Sequence, residues 1–224
     1  MISEKKIMDE LNGWVDRFLK HSPFFKVWKN DSIDRAMCEK FLVTFDSLVG
    51  SFPALIALGA ARVMDERTRV VLAVNLFQEC GEGDPRRTHH AIYRKFLATA
   101  GIDVSQSPES PFAARWRSDL FGYVQDSKSP GKVLGALAAG EFLAEPALTR
   151  IYSVIRPHYP GADQEYFTKH LVLETEHVRE ITAMLAREAK DETGWAEVSA
   201  GFHFGLSAWE TYFNRLAEFT AAAK

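Results

Sequence analysis

The run KHLVLETEHV, residues 169–178, places charge where a helix normally has none. His170, Glu174 and His177 fall at i, i+4 and i+7 of a long 3.6-residue pattern, so all three project from one face. That face is apolar on either side. Phe167, His170, Glu174, His177, Ile181 and Met184 form one stripe whose middle is ionisable. A carboxylate buried without a partner is very costly, and such groups are seldom buried unless paired or bound to metal. Three in succession call for a cation.

Two further segments repeat the anomaly. In GKVLGALAAGEFLAEPALTRIYSVI the stripe Leu134, Leu137, Glu141, Ala144, Leu148, Ile151 has Glu141 as its one charged member. In RTRVVLAVNLFQEC, Leu72, Leu76 and Glu79 share a face; the chain breaks at Gly81–Pro85 and resumes as a helix carrying His89, Tyr93 and Phe96. Carboxylates and imidazoles facing inward from several helices are how helical bundles hold dinuclear iron or manganese. The mixed oxygen and nitrogen donors favour those metals, with zinc compatible by ligand type. Glu82 rivals Glu79 and His90 rivals His89. Glu79 is preferred because it ends an apolar-periodic helix while Glu82 lies between glycines; His89 is preferred because it continues the Tyr93–Phe96 stripe.

Helices account for nearly the whole chain, over approximately 3–20, 33–63 with Pro53 as an expected kink, 66–80, 86–100, 110–126, 130–157, 162–190 and 194–222. Ser3, Asp31 or Ser32, Asp65 and Ser129-Pro130 are start signals. Gly101, SQSPESP, Pro157–Gly161 and Asp191–Gly194 are breaks. With no strand alternation and no internal repeat, the reading is an all-α bundle of seven or eight helices. Its 224 residues fit one domain, 1–224, with a sizeable core. A net charge of −3 without a long Lys/Arg block disfavours nucleic acid as a partner and polybasic membrane attachment. No apolar run reaches the roughly 18 residues of a membrane span. The N-terminus lacks the apolar core of a secretory signal, and two cysteines, Cys38 and Cys80, suit a reducing cytoplasm.

The order and spacing of NLFQECGEGDPRRTHHAIYRKFL, then Glu141 among small residues, then H-x3-E-x2-H resemble the haem-oxygenase-like diiron oxygenases and oxidases. That group includes the CADD-like proteins, amine N-oxygenases and carbon–carbon cleaving enzymes. HSPFFKVWKNDSIDRAMCEKF and GSFPALIAL resemble the family's first core helices, and the likeness spans roughly residues 20–215. It implies a haem-oxygenase-like bundle with Glu79, His89, Glu141, His170, Glu174 and His177 as the ligands of two Fe(II) ions per chain. It further implies an O2-dependent oxidoreductase acting on a small molecule, expected to be an amine or amino acid, by N-oxygenation or oxidative cleavage, with a fatty acid as the second choice. Glu174 stands where the family usually has aspartate. Phe25 stands in the segment where CADD proteins present a tyrosine consumed in making 4-aminobenzoate, which puts that self-sacrificing activity in doubt here.

Other residues are expected near the site. Asp46, on the line Leu42, Asp46, Val49, Pro53, is read as a carboxylate for the metals or a substrate amine, or else as the partner of a surface lysine. Phe52 and Tyr93 are expected to line the cavity. Glu141 taken alone would pair with Arg150 or Arg156. Cys80 neighbours Glu79 but points about 100° away on a helix, and His21 resembles the proximal ligand of true haem oxygenases, against which Pro23 and an expected loop setting speak. The five tryptophans and FHFGLSAWETYF suit core or a homodimer surface. The rival readings are a metal-free enzyme of the thiaminase or PqqC type and a non-catalytic protein stabilised by metal.

Overall fold

In a computed structural model, the described residues are 2–29, 33–105, 107 and 109–221, with the side chains of 171–176 and 220–221 outside the description. Nine α-helices and two single 3-10 turns make up the regular structure of the described residues, and they contain no strand. The helices are α1 Glu4–His21, α2 Pro23–Val27, α3 Arg35–Arg62, α4 Glu66–Glu79, α5 His89–Thr99, α6 Pro111–Asp126, α7 Pro130–Ile155, α8 Glu165–Glu188 and α9 Glu192–Ala221. The all-α expectation is met, with the short α2 as an added element. Pro23 at its first position and the apolar pair Phe24–Phe25, both buried, explain why a turn forms there.

Most helix starts carry a side-chain cap. Ser3, Asp34, Asp65, Thr88, Ser110 and Ser129 each accept from a backbone N–H of the first turn. The cap of α3 is thus Asp34; the expected start at Asp31 or Ser32 lies outside the described residues. Pro53 sits inside α3 and Pro146 inside α7.

Helix α7 is the axis of the bundle. From Val133 to Leu143 every side of it is buried, which is why small and apolar residues surround the Leu134–Leu137–Glu141 stripe on its other faces too. It packs on α9 almost backbone to backbone. A Cβ at Gly135 would lie 2.1 Å from the Val198 carbonyl oxygen, and one at Gly201 would lie 2.1 Å from that of Lys132. Only glycine permits that approach, and it brings both helices to one wall of an internal cavity.

The sequence contains one segment that passes for a membrane span. Helix α3 has an 18-residue window with mean hydropathy 1.8, contrary to the expectation that no run would qualify; half of that window is buried inside the bundle. It packs on α4, α5, α6 and α7 and supplies the opposite wall of the cavity.

Candidate metal centre

Four helices deliver carboxylates and imidazoles to one end of this cavity. Glu79 is the last residue of α4 and His89 the first of α5, so the nine-residue step Cys80–Thr88 brings both side chains inward. Gly81, Glu82 and Gly83 all have positive φ there, at 73°, 57° and 91°. Glu141 comes from the middle of α7, and His170 and His177 from positions two turns apart on α8.

Glu79, His89 and His170 converge, each offering a donor atom within 4.8 Å of the others. They are buried, at 6%, 1% and 7% exposure. His89 Nδ1 lies 2.8 Å from Glu79 Oε1, yet neither His89 ring nitrogen makes a hydrogen bond of ordinary geometry among the described residues. Two donors crowded together without bonding each other, in a fully buried place, are arranged to share a third body. Satisfied buried polar groups are the rule, and an exception asks for a ligand. His170 Nδ1 donates to the Tyr166 carbonyl at 2.7 Å, which leaves Nε2 with its lone pair.

Glu141 and His177 form a second pair, with Oε2 and Nδ1 3.4 Å apart and both side chains almost wholly buried. Each is held from α4. Asn75 Nδ2 donates to Glu141 Oε1 at 2.9 Å, and His177 Nε2 lies 2.8 Å from Gln78 Oε1. Since the Gln78 oxygen only accepts, Nε2 carries the proton and Nδ1 faces Glu141. Glu141 therefore meets neither Arg150 nor Arg156; Arg150 donates instead to the Leu19 carbonyl. Glu174 belongs to α8, but its side chain lies outside the described residues.

The two histidines of α8 differ in basicity. Burial, then the charge of His89, pushes the His170 pKa down to about 4. Burial also works against protonating His177, but Glu141, Glu79 and Glu180 outweigh it and raise its pKa above the ordinary 6.5. Donors of this set, held inward by polar neighbours, suit a hard or borderline cation such as iron.

The alternatives for two positions resolve by direction. Glu82 is exposed. His90 turns to α3, where its Nε2 lies 2.9 Å from Asp46 Oδ1. Two pocket expectations need correction. Asp46 does not border the cavity, because Arg94 holds it through two bonds of 3.1 and 2.9 Å while His90 takes a third position. Tyr93 is buried but outside the cavity wall, its hydroxyl donating to the Leu42 carbonyl at 2.7 Å. Phe52 does line the cavity. Sequence reasoning missed Asn75, Gln78 and Tyr166. The first had a signal, since Thr68, Leu72, Asn75 and Glu79 are the buried face of α4 and Leu76 only borders it.

Beyond the centre the cavity wall is apolar, and α3, α7, α8 and α9 bound a narrow space of about 70 Å³. Neither cysteine reaches it; Cys80 is exposed, and Cys38 is buried with its thiol pushed up to about 12 by burial and by Asp34. His21, at the end of α1, is exposed.

The family profile described as iron-containing redox enzyme matches residues 39–210. No curated protein matches the chain. Among solved structures, a CADD-like protein of unknown function from Nostoc punctiforme superposes with a TM-score of 0.79 at 18% identity, over 95% of this chain and 98% of its own. A domain of unknown function with a heme oxygenase-like fold from Shewanella denitrificans gives 0.78 at 15% identity, over 98% and 94%. A TenA homolog from Pseudomonas syringae pv. tomato gives 0.71 at 11% identity, over 96% and 93%. At these identities the likeness shows the haem-oxygenase-like fold.

Proposed function

The chain belongs to the iron-containing redox enzymes, and from that premise we propose that it is a non-haem diiron oxygenase or oxidase using O2 to oxidise a small organic molecule. The observation that carries the reading is the buried convergence of Glu79, His89 and His170, with unbonded His89 nitrogens, beside the Glu141–His177 pair. Glu79, His89 and His170 would hold one iron; Glu141, His177 and Glu174 would hold the second. Iron at this place supplies the electrons for O2 reduction, which the side chains cannot give.

The residues of the chain do the rest. The carboxylates neutralise cationic charge in a low-dielectric interior, and the Tyr166 carbonyl and Gln78 fix the imidazole tautomers. Phe45, Leu48, Phe52 and Leu148 exclude water from the reacting end. A thiaminase-type reaction would need a nucleophilic cysteine in the cavity, and both cysteines lie elsewhere. The amine or amino acid expected from the sequence would be met by no free carboxylate, since Asp46 is engaged by Arg94 and His90. Cytoplasmic placement and homodimer formation are further parts of this reading.

Anaerobic titration with Fe(II), followed by metal analysis and Mössbauer spectroscopy, tests it. Two irons per chain and O2 uptake by the loaded protein are expected. A protein that binds no iron, or binds iron and leaves O2 untouched, overturns it.

A further inference from the structure

Trp209, on α9, lines the cavity and is only 7% exposed. Its indole Nε1 is buried and has no hydrogen-bond partner among the described residues. A buried donor left unmade costs about 1–3 kcal/mol, so a native protein keeps one where something else completes it. Trp28 and Trp116 also carry buried indole nitrogens without acceptors, but neither borders the cavity.

The indole lies against the turn of α7 that carries Glu141. A Cβ built on Gly140 would be 3.6 Å from Trp209 Nε1 and 2.9 Å from the Phe52 ring. Gly140 immediately precedes Glu141 in α7, and both belong to the cavity wall. Glycine at this position makes room for the Phe52 edge, which alanine would crowd, while an added methyl would only touch the indole nitrogen.

Among the described residues the ionisable groups in the wall are Glu79, His89, Glu141, His170 and the phenol of Tyr166, and the other described lining side chains are aliphatic or aromatic. The first four are the proposed iron ligands. A zwitterion or a free ammonium group would therefore have no partner of its own, whereas a hydrogen-bond acceptor would find the indole N–H.

From this the geometry points to Trp209 as a substrate-binding residue whose indole N–H donates to a carbonyl or carboxylate oxygen of an otherwise apolar substrate. The inference rests on the cavity being the reaction chamber and narrows the substrate class to aliphatic or aromatic carbonyl compounds and acids. Trp209 selects and orients; it takes no part in electron or proton transfer.

Calorimetric titration of 2-octanone, octanoate and octylamine into wild type and Trp209→Phe tests the assignment, in metal-free and in anaerobic Fe(II)-loaded protein. Phenylalanine keeps an aromatic wall and removes the donor. The variant is expected to bind the ketone about fivefold more weakly, the value of a neutral hydrogen bond near 1 kcal/mol, the carboxylate by at least about tenfold because its bond is charge-assisted, and octylamine within about twofold of wild type. Equal shifts for all three probes, an unchanged ketone affinity, or no binding of any probe would overturn it. A second measurement does not depend on the variant folding. One indole N–H resonance of wild type should move downfield with 2-octanone and none with octylamine; no ketone-dependent shift refutes the donor role. If iron fails to load while the ketone effect persists, the metal reading falls and the role of Trp209 stands. If two irons load and Trp209→Phe is silent, the reverse holds.

Discussion

Asn75 Nδ2 donates to Glu141 Oε1 at 2.9 Å across the contact between α4 and α7, and Gln78 on the next turn of α4 meets His177 Nε2 at 2.8 Å. Helix α4 thus ends in one donor, Glu79, and fixes two others that arrive on α7 and α8. Polar neighbours of this kind orient a ligand and set its tautomer, and their loss commonly lowers metal affinity by about 10–100-fold. Asn75→Leu and Gln78→Leu are expected to weaken the second metal by that amount while the first still binds. Gln78→Glu should retain more affinity than Gln78→Leu because it keeps an acceptor for the imidazole N–H. Co(II) titration followed by its absorption bands measures both sites. Equal losses at both metals, or none, would count against this assignment.

The basicities of His170 and His177 predict opposite responses to pH. In the metal-free protein His170 stays neutral down to about pH 4, while in an unfolded chain it takes up a proton near 6.5. Its contribution to stability is therefore present above about 6.5 and is lost progressively as the pH falls to about 4, at most ~3 kcal/mol. For His177, whose pKa is raised, the contribution is fully present below 6.5 and fades as the pH rises through the raised value. Metal must displace that proton, so iron affinity is expected to drop with pH already from above 6.5. Urea unfolding between pH 8 and 5 and Fe(II) titration over the same range check the two signs. Iron affinity that is flat from pH 8 to 6 would contradict the assignment of His177.

Much of this was legible in the chain because periodicity reports burial. Phe167, His170, His177, Ile181 and Met184 are all buried on α8 as their spacing requires. The step from Glu79 to His89 was marked by its glycines. Side-chain direction at helix ends was less legible: His90 follows His89 by one residue, and only packing against Gly50 and Asp46 separates their roles. Asp46 shows the limit from the other side. It lies in the α3 line that faces the core, but Arg94, 48 residues later, claims it, and periodicity carries no information about a partner on another helix. Trp209 was hidden for the same reason, since a tryptophan in an apolar stripe reads as packing until its N–H is seen to lack an acceptor among the described residues.

Asp46 should accordingly matter to folding more than to chemistry. Burial favours its protonated form, but His90 and Arg94 outweigh burial and hold its pKa below the ordinary carboxylate value. Its stabilisation is present above the unfolded pKa and is lost as pH falls through the lowered folded value. Asp46→Asn is expected to cost about 1–2 kcal/mol, discounted because the Arg94 side chain is 55% exposed. Iron stoichiometry should be unchanged. Thermal melts with metal analysis decide, and a folded Asp46→Asn protein lacking one iron would return Asp46 to the centre.

The turn between Glu79 and His89 provides the sharpest contrast between neighbouring residues. A Cβ on Gly81 would lie 2.5 Å from the Arg87 carbonyl carbon and 2.6 Å from the Thr88 nitrogen, and its φ of 73° already disfavours a side chain. Thr88 caps α5 through Ala91 N at 3.0 Å, so displacing residues 87–88 displaces His89 with them. Gly81→Ala is expected to destabilise by about 2–3 kcal/mol and to weaken the iron held by Glu79 and His89. Glu82 has a φ of 57° and is exposed. Glu82→Gly relieves about 1 kcal/mol of left-handed strain and adds a similar entropy to the unfolded chain, leaving stability within about 0.5 kcal/mol. Its iron content should equal that of wild type, because Glu82 faces solvent. If Glu82→Gly loses an iron while Gly81→Ala keeps both, the carboxylate of the centre is Glu82, and the direction assigned to Glu79 is wrong.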